Sequence, residues 1–297
     1  MNAVLTLVAG PDETALPDVV AALGRALPRA GAPDWLAPGV ACDLALADAD
    51  ADADADEAER TARAAIGEAR IDVVVQPGAG RRKRLLVADL EATMIENEML
   101  EELAEFVGLR APVAEITRRA MNGDIDFAAA LAERVALLKG LPEALLDAAA
   151  ARIRLMPGAR PLLATLRAAG VRTLLVSGGF TVFADRVAAQ LGFERVVANR
   201  LDIVDGRIAG TVAPPIVTRE TKREALFAAA RDCGVAAAAT LAVGDGANDL
   251  PMLLAAGLGV AFRAKPSVAA AARWRVDHAD LTALLYAQGY RQREIIG

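Results

Sequence analysis

Hydrophobic and polar positions alternate with two different periods along the first 80 residues. Short apolar stretches predict strands, and amphipathic stretches between them predict helices. The order strand, helix, strand, helix, strand occurs at residues 3–9, 16–27, 39–46, 57–69 and 71–76. This order is typical of a small α+β sandwich, so we interpret residues 1–80 as one N-terminal domain.

A strict alternation of alanine and aspartate occupies residues 47–56, between the second predicted strand and the second predicted helix. Closely spaced carboxylates are also found in Ca²⁺-binding loops. The segment lacks the turn glycine and the closing glutamate of such a loop. We therefore interpret it as a solvated, mobile loop.

A change of pattern separates this region from the rest of the chain. Residues 76–84, QPGAGRRKR, combine turn-forming residues with a basic run, and apolar residues 85–88 follow. We place a domain boundary here, with the second domain covering residues 81–297. The basic run is interpreted as a solvated linker and not as a nucleic-acid patch, because the remainder of the chain is acidic.

From residue 85 onward, short apolar strands alternate with helical stretches. This pattern predicts an α/β fold, a doubly wound parallel sheet covered by helices on both faces. The strands are predicted at residues 85–88, 172–176, 196–198, 240–243 and 259–262. Two weaker stretches, 200–204 and 207–212, flank Asp205-Gly206 and predict a hairpin.

The interval after the first of these strands contains no strand pattern. Residues 95–154 instead carry amphipathic stretches that are typical of helices. Because the interval directly follows strand 85–88, we expect a helical cap inserted over the carboxyl end of that strand. The amphipathic stretches are residues 98–107, 113–121, 127–138 and 143–152.

Composition and net charge limit which partners and which cell compartment we expect for this chain. The 297 residues carry a net charge of −6, which gives no electrostatic reason to bind nucleic acid or an anionic membrane. Cys42 and Cys233 are far apart and form neither a zinc motif nor a disulfide framework. We find no signal peptide and no apolar run of roughly 18 residues, so we expect a cytoplasmic protein.

Ligands of parallel sheets gather at the carboxyl ends of strands, so polar residues directly after the predicted strands are candidates for chemistry. Asp89 and Glu91 follow strand 85–88 and point the same way in an extended segment. One carboxylate can attack phosphorus while the other acts as general acid and base. Taken alone, the pair is better explained by an acidic turn or a helix cap.

Two other strands end in motifs suited to a phosphate group and a cation. Ser177-Gly178-Gly179 allows N–H groups and a hydroxyl to approach a phosphate, although a structural turn uses the same tripeptide. The segment 244–249, GDGAND, offers two carboxylates and an amide, a set that suits Mg²⁺. A tight turn without a metal is the alternative.

In this order along the chain, the motifs resemble those of the haloacid dehalogenase (HAD) superfamily. The cap and the second motif resemble the phosphoserine phosphatases within it, over roughly residues 85–280, as in ITRRAMNGDIDFAAALAERVALLKG and VSGGFTVFADRV. The resemblance implies hydrolysis of O-phosphoserine through an aspartyl-phosphate intermediate with Mg²⁺, the last step of serine biosynthesis. The first 80 residues look like the ACT-like regulatory domain found ahead of some of these enzymes.

The resemblance also implies catalytic and metal-binding residues. Asp89 corresponds to the nucleophile, and Glu91 to the general acid and base. Mg²⁺ would be held by Asp89, Asp245 and the main-chain oxygen of Glu91, with Asp249 supporting those ligands.

The substrate-binding residues are implied in the same way. An arginine can bind the substrate carboxylate in a bidentate pair, and a glutamate can bind its ammonium group. The implied residues are Ser177, Gly178, Lys222 and Asn248 for the phosphate, Glu98 for the ammonium group, Arg134 for the carboxylate, and Met121 and Phe127 for apolar closure.

Glu91 departs from the family pattern, which has aspartate two residues after the nucleophile. A displacement near 1 Å can cost about a hundredfold in rate, so we expect hydrolysis to be retained but slow. Two alternatives stay open: a phosphatase for another small phosphomonoester such as phosphothreonine, and a catalytically weakened phosphoserine or serine sensor. A homodimer and an amino-acid effector at the N-terminal domain are further expectations, the effector by analogy of fold alone.

Overall fold

The computed structural model describes residues 3–27, 29–46, 51–121 and 124–297, without the side chains of residues 51–54 and 121. Within these residues, one four-stranded sheet is formed by the N-terminal part of the sequence and one seven-stranded sheet by the remainder. None of the helices in these ranges is long and apolar enough to cross a membrane.

The four-stranded sheet is antiparallel and is covered by two helices. Its elements are β1 (Ala3–Ala9), α1 (Leu16–Ala26), β2 (Asp34–Ala37), β3 (Ala41–Leu46), α2 (Ala51–Ile66) and β4 (Ile71–Pro77). The strand order is β2-β3-β1-β4. Leu5 and Leu7 are two residues apart in β1, so their side chains point to the same face of the sheet. They share an apolar cluster with Leu16 and Leu23 of α1. The sequence pattern did not predict the short strand β2.

The interpretation of residues 47–56 as a loop is wrong for residues 51–56, which form the first turns of α2. Residues 47–50 lie outside the described residues. Alanine has a high helix propensity, and aspartates near a helix N-terminus interact favourably with the helix dipole. Farther along α2, Ala58, Ala62 and Ile66 are buried at intervals of four residues, which anchors the helix on the sheet.

The insertion after the first strand of the larger sheet is helical. That strand is β5 (Leu85–Ala88), and the helices described after it are α3 (Met99–Glu105), α4 (Arg110–Met121), α5 (Phe127–Ala136) and α6 (Ala144–Ala150). The two ends of the insertion lie side by side. The N–H of Glu96 donates to the carbonyl of Arg154, and the N–H of Met156 donates to the carbonyl of Met94, both at 2.9 Å.

The seven-stranded sheet is parallel apart from one edge strand. Its other strands are β6 (Arg172–Phe180), β7 (Arg195–Val204), β8 (Arg207–Ala213), β9 (Thr240–Gly244), β10 (Leu258–Phe262) and β11 (Trp274–Val276). The order is β11-β10-β9-β5-β6-β7-β8, with β8 antiparallel to β7. The predicted parallel sheet and hairpin are confirmed, and β7 is a single strand that takes part in both.

Helices cover both faces of this sheet because successive side chains of a strand point to opposite sides. In β5, Leu86 and Ala88 belong to one apolar cluster, whereas Leu85 and Val87 belong to another. The first cluster contains α7 (Ala159–Ala168), α8 (Thr181–Leu191) and α12 (Ala283–Ala287), and the second contains α9 (Arg219–Asp232), α10 (Leu250–Ala255) and α11 (Pro266–Ala271). The fold is therefore doubly wound, as predicted.

The basic segment between the two sheets is packed at Arg81 and Lys83, contrary to its interpretation as a solvated linker, whereas Arg82 and Arg84 are exposed. Arg81 forms an ion pair with Asp43 at 2.5 Å. Lys83 is buried, and its ammonium group donates to two main-chain carbonyls. Arg82 stacks over the ring of Tyr290. Most of these partners lie far away in the sequence, so a local charge pattern does not reveal that the segment is packed.

Candidate active site

The carboxyl ends of β5 and β9 bring the two acidic motifs together. These strands pair in parallel, so the residues that follow them meet at the same edge of the sheet. The N–H of Asp89 donates to the carbonyl of Val243 at 3.0 Å, which fixes the first motif beside the second. Asp89, Asp245 and Asp249 are all buried there.

Lys222 connects these motifs from α9. Its Nζ lies 2.6 Å from Oδ1 of Asp89 and 2.6 Å from Oδ1 of Asp249. All three side chains are buried, so each charge depends on the others for stabilisation. Helix α9 begins after Thr218, whose hydroxyl accepts the N–H of Thr221. This N-cap hydrogen bond fixes the first turn of α9, from which Lys222 extends.

Asp89, Asp245 and Asp249 form a set that could hold a metal ion. Each offers one carboxylate oxygen, and the three oxygens lie within 4.8 Å of one another. Oxygen atoms are the ligands that Mg²⁺ prefers. Three carboxylates around the ammonium group of Lys222 leave a surplus of negative charge, which a divalent cation would offset. The donor set therefore fits Mg²⁺.

The turn at the end of β9 requires glycine at residues 244 and 246, because the side chains of Asn248 and Asp249 fold back onto this turn. A Cβ on Gly244 would lie 2.4 Å from Cγ of Asp249, and a Cβ on Gly246 would lie 2.3 Å from Oδ1 of Asn248. The N–H of Gly246 also donates to Oδ2 of Asp249 at 3.0 Å. With Oδ1 on Lys222, both oxygens of Asp249 are held in place.

Burial and mutual repulsion shift the pKa values in this cluster. Burial raises the pKa of Asp89 to about 8, with repulsion from Asp249 adding to it and Lys222 opposing it. Burial also raises the pKa of Asp245. For Lys222, burial alone would lower the pKa, but attraction to Asp249 and Asp89 raises it above its usual range. Lys222 therefore stays positively charged at neutral pH.

Glu91 lies between the sheet and the cap. Its Oε1 accepts the N–H of Met99, the first residue of α3, at 2.8 Å. A Cβ on Gly179 would lie 2.8 Å from its Oε2, so the second oxygen packs against that glycine. Burial raises the pKa of Glu91 to about 7, opposed by the hydrogen bond from Met99 and increased by Asp89. Such a group can both donate and accept a proton near neutral pH.

The tripeptide at residues 177–179 lies inside β6, which is longer than the predicted strand 172–176. It forms an irregular part of the strand, because the β6–β7 register shifts between residues 176 and 180. The hydroxyl of Ser177 accepts the N–H of Gly179 at 2.9 Å. A Cβ on Gly178 would lie 3.1 Å from the ring of Phe127 and 4.0 Å from Nδ2 of Asn248. Phe127 of the cap therefore contacts residues 177–179, which we call the glycine segment.

Two charged residues of the cap complete the predicted set. Glu98 precedes α3, and Arg134 lies in the last turn of α5. Part of Glu98 is exposed, yet burial of its carboxyl group raises its pKa to about 8, with repulsion from Glu91 and Asp245. Burial lowers the pKa of Arg134, opposed by Glu91 and Glu98. The side chain of Met121 lies outside the described residues.

Two residues beside the site were not predicted from sequence. Nζ of Lys265 lies 3.9 Å from Oδ2 of Asp245, and the main-chain N–H of Lys265 donates to the main-chain carbonyl of Asp245. Asn199 is buried in β7 and contacts Gly178. It directly follows the apolar residues 196–198, so the rule applied to the other strand ends would have found it.

Comparison with known proteins gives a consistent result. A model of the haloacid dehalogenase-like hydrolases matches residues 86–254. A phosphoserine phosphatase of Streptomyces coelicolor is 46% identical over 237 residues, which are 79% of this chain and 57% of that protein. A phosphoserine phosphatase of Streptococcus thermophilus is 44% identical over 199 residues, 67% of this chain and 93% of that protein. The chain thus spans little more than half of the Streptomyces relative.

Solved structures with the same fold cover nearly all of this chain or about 71% of it. A HAD family hydrolase, t0658, of Salmonella enterica serovar Typhi has a TM-score of 0.86 at 27% identity, covering 96% of this chain and 98% of its own. A phosphoserine phosphatase with an analogue of its phospho-aspartyl intermediate has a TM-score of 0.65 at 35% identity, covering 71% and 100%.

Proposed function

Because this chain belongs to the phosphoserine phosphatase family of haloacid dehalogenase-like hydrolases, we propose that it hydrolyses O-phosphoserine to serine and inorganic phosphate. The observation that carries the proposal is the contact of Lys222 with both Asp89 and Asp249, beside Asp245. One buried site thereby combines a nucleophile, a fixed positive charge and an acidic ligand set.

Asp89 is the proposed nucleophile. Its carboxylate forms a bond to phosphorus, the bond from phosphorus to the serine oxygen breaks, and Glu91 donates a proton to that oxygen. Water then attacks phosphorus, Glu91 accepts a proton from the water, and the bond to Asp89 breaks to release phosphate. The pKa of Glu91, about 7, supports both of its roles.

Lys222, Ser177, Gly178 and Asn248 are proposed to bind the phosphoryl group. The ammonium group of Lys222 offsets the charge that develops on the phosphoryl oxygens. The hydroxyl of Ser177 accepts an N–H from Gly179, so its own hydrogen can donate to a phosphate oxygen. Gly178 has no Cβ that would fill the space beside Asn248.

Mg²⁺ is the proposed cofactor. Asp89, Asp245 and the main-chain oxygen of Glu91 would hold it, and the cluster of three carboxylates supports this assignment. When bound, Mg²⁺ favours the ionised form of the nucleophile and offsets the charge of the phosphate. Asp249 has a supporting role, because its oxygens bind Lys222 and the N–H of Gly246.

The cap is proposed to select the substrate and exclude water. Glu98 would bind the ammonium group of phosphoserine, and Arg134 its carboxylate. Phe127 contacts the glycine segment, and Met121 is proposed to close over the ligand with it. A preference for phosphoserine over other phosphomonoesters follows from this pair of charges.

We also propose the setting of the reaction. The enzyme would act in the cytoplasm as the last step of serine biosynthesis, and the free thiols of Cys42 and Cys233 fit a reducing compartment. Residues 1–80 would form an ACT-like regulatory domain that binds an amino-acid effector. Loss of inhibition by serine on truncation at Arg81 would support this role, and unchanged inhibition would remove it.

The test of the proposed function is phosphate release from O-phosphoserine. We expect release to require Mg²⁺, and Asp89→Asn to lower kcat by at least about a thousandfold because the nucleophile is lost. The matched control is Asp43→Asn. This change removes a buried carboxylate of the four-stranded sheet that pairs with Arg81, and the variant should retain hydrolysis. Hydrolysis by Asp89→Asn at the wild-type rate would contradict the proposal, and phosphoserine binding without release would favour a sensor.

A further inference from the structure

Strand β7 changes its pairing partner at Asn199. Up to this residue the strand pairs in parallel with β6, and from Arg200 onward it pairs antiparallel with β8. Asn199 is opposite Phe180, and the register of the β6–β7 ladder shifts between Val176 and Phe180. The regular ladder is therefore interrupted at residues 177–179, the segment proposed to bind phosphate.

The side chain of Asn199 makes two hydrogen bonds across this interruption. Its Nδ2 donates to the carbonyl of Gly178 at 2.8 Å, and its Oδ1 accepts the N–H of Val217 at 2.8 Å. Asn199 is fully buried. Because one partner only accepts and the other only donates, the orientation of the amide group is determined.

The two partners of Asn199 belong to the two halves of the proposed phosphate site. Gly178 lies between Ser177 and Gly179 in β6. Val217 directly precedes Thr218, which caps α9, and the N–H of Lys222 donates to the carbonyl of Thr218 at 3.1 Å. Asn199 therefore connects the glycine segment to the start of the helix that carries Lys222.

We propose that Asn199 is a positioning residue for phosphoryl transfer, whose amide group sets the distance between residues 177–179 and α9. It acts through Gly178 and Lys222 and needs no contact with the substrate. The inference rests on the proposed function, since those two elements are taken to bind the phosphoryl group. A misplacement near 1 Å in such a site can cost about a hundredfold in rate.

The test is Asn199→Leu, which is similar in size and makes neither hydrogen bond. We expect kcat/KM for phosphoserine to fall about a hundredfold. We also expect the Kd of inorganic phosphate, measured by calorimetry in Mg²⁺, to rise about tenfold through loss of one interaction. If the leucine variant does not fold, Asn199→Ser, which is too short to reach both partners, is measured in its place.

The matched control is Gln288→Met. Gln288 is also fully buried, and its amide joins two segments by accepting the N–H of Lys83 at 2.9 Å and donating to Leu284 at 2.8 Å. Its replacement should lower Tm and leave the phosphate Kd and kcat/KM unchanged. A merely structural Asn199 would behave in the same way.

Three results would overturn the inference. These are a folded Asn199 variant with wild-type phosphate Kd and kcat/KM, an equal loss of phosphate affinity in Gln288→Met, and a wild-type protein that binds no phosphate. If the wild type binds phosphate but releases none from phosphoserine, the proposed function fails, and the phosphate Kd of the variants still decides the role of Asn199.

Discussion

Glu91 contacts both sides of the active site with one carboxyl group. One oxygen accepts the N–H of Met99 from the cap, and the other packs against Gly179 in the sheet. An aspartate, as in the family pattern, is one methylene shorter and would not span the same distance. Proton transfer and the position of the cap therefore depend on the same side chain.

Two replacements of Glu91 separate these roles. Glu91→Gln keeps the length and an acceptor for Met99 but has no acidic proton, so kcat should fall by about a hundredfold or more. Glu91→Asp keeps the acid and gives up the contact with the cap, so hydrolysis should be retained. Steady-state assays with phosphoserine measure both effects.

Each outcome has a defined consequence. Wild-type kcat in Glu91→Gln would remove Glu91 as the general acid. Complete loss of activity in Glu91→Asp would mean that the site has been rebuilt around the longer side chain.

The cap is the element that carries the proposed specificity. It joins the larger sheet through two adjacent segments, near residues 94–96 and 154–156, and its residues 140–143 are also hydrogen-bonded to residues 206–208 of the β7–β8 hairpin. Helix α5 begins at the N-cap Asp126, which accepts the N–H of Ala129. Near its other end, Nε of Arg134 donates to the carbonyl of Ala130 at 3.1 Å, which orients the guanidinium group.

Arg134→Met should change substrate choice more than chemistry. We expect KM for phosphoserine to rise at least about tenfold, because a charged partner of the substrate carboxylate is lost. KM for p-nitrophenyl phosphate, which has no carboxylate, should stay near its wild-type value. Arg118→Met is the control, since Arg118 is exposed on α4 and pairs with Glu115. An equal rise for both substrates would contradict the specificity role.

Strand β4 contributes buried contacts that join the two sheets. The carboxylate of Asp72 accepts three main-chain N–H groups from residues 277–279, at 2.7 to 3.2 Å. The indole N–H of Trp274 donates to the carbonyl of Val75 at 2.7 Å. These contacts cover an edge strand that would otherwise expose unpaired backbone groups. His278 takes part through its main chain.

Asp72→Asn should lower stability and leave catalysis of the folded protein unchanged. The amide cannot accept all three N–H groups, so we expect a loss of about 1–3 kcal/mol in the free energy of unfolding. Urea unfolding measures it. Asp34→Asn is the control, because Asp34 pairs with Arg291 at the surface and should contribute at most about 1 kcal/mol. Equal losses in the two variants would show that the buried carboxylate has no special role.

Much of the fold and of the candidate site could be predicted from the sequence. Parallel strands align their carboxyl ends, so apolar stretches followed by polar residues were enough to indicate Asp89, Ser177 and Asp245. The resemblance to a known family added Lys222, Glu98 and Arg134. These predictions depend on residues that are close in sequence or on motifs with fixed spacing.

The sequence does not reveal which distant groups meet, because their contacts form only when the chain folds. The bridge from Asn199 to Gly178 and Val217, the packing of Lys83 and the contact of Asp72 with residues 277–279 all join segments far apart in the chain. Local periodicity reports whether a residue is buried, but not which partner satisfies its hydrogen bonds. That partner is determined by how the sheets and helices pack, because a buried polar group must be paired wherever the fold places it.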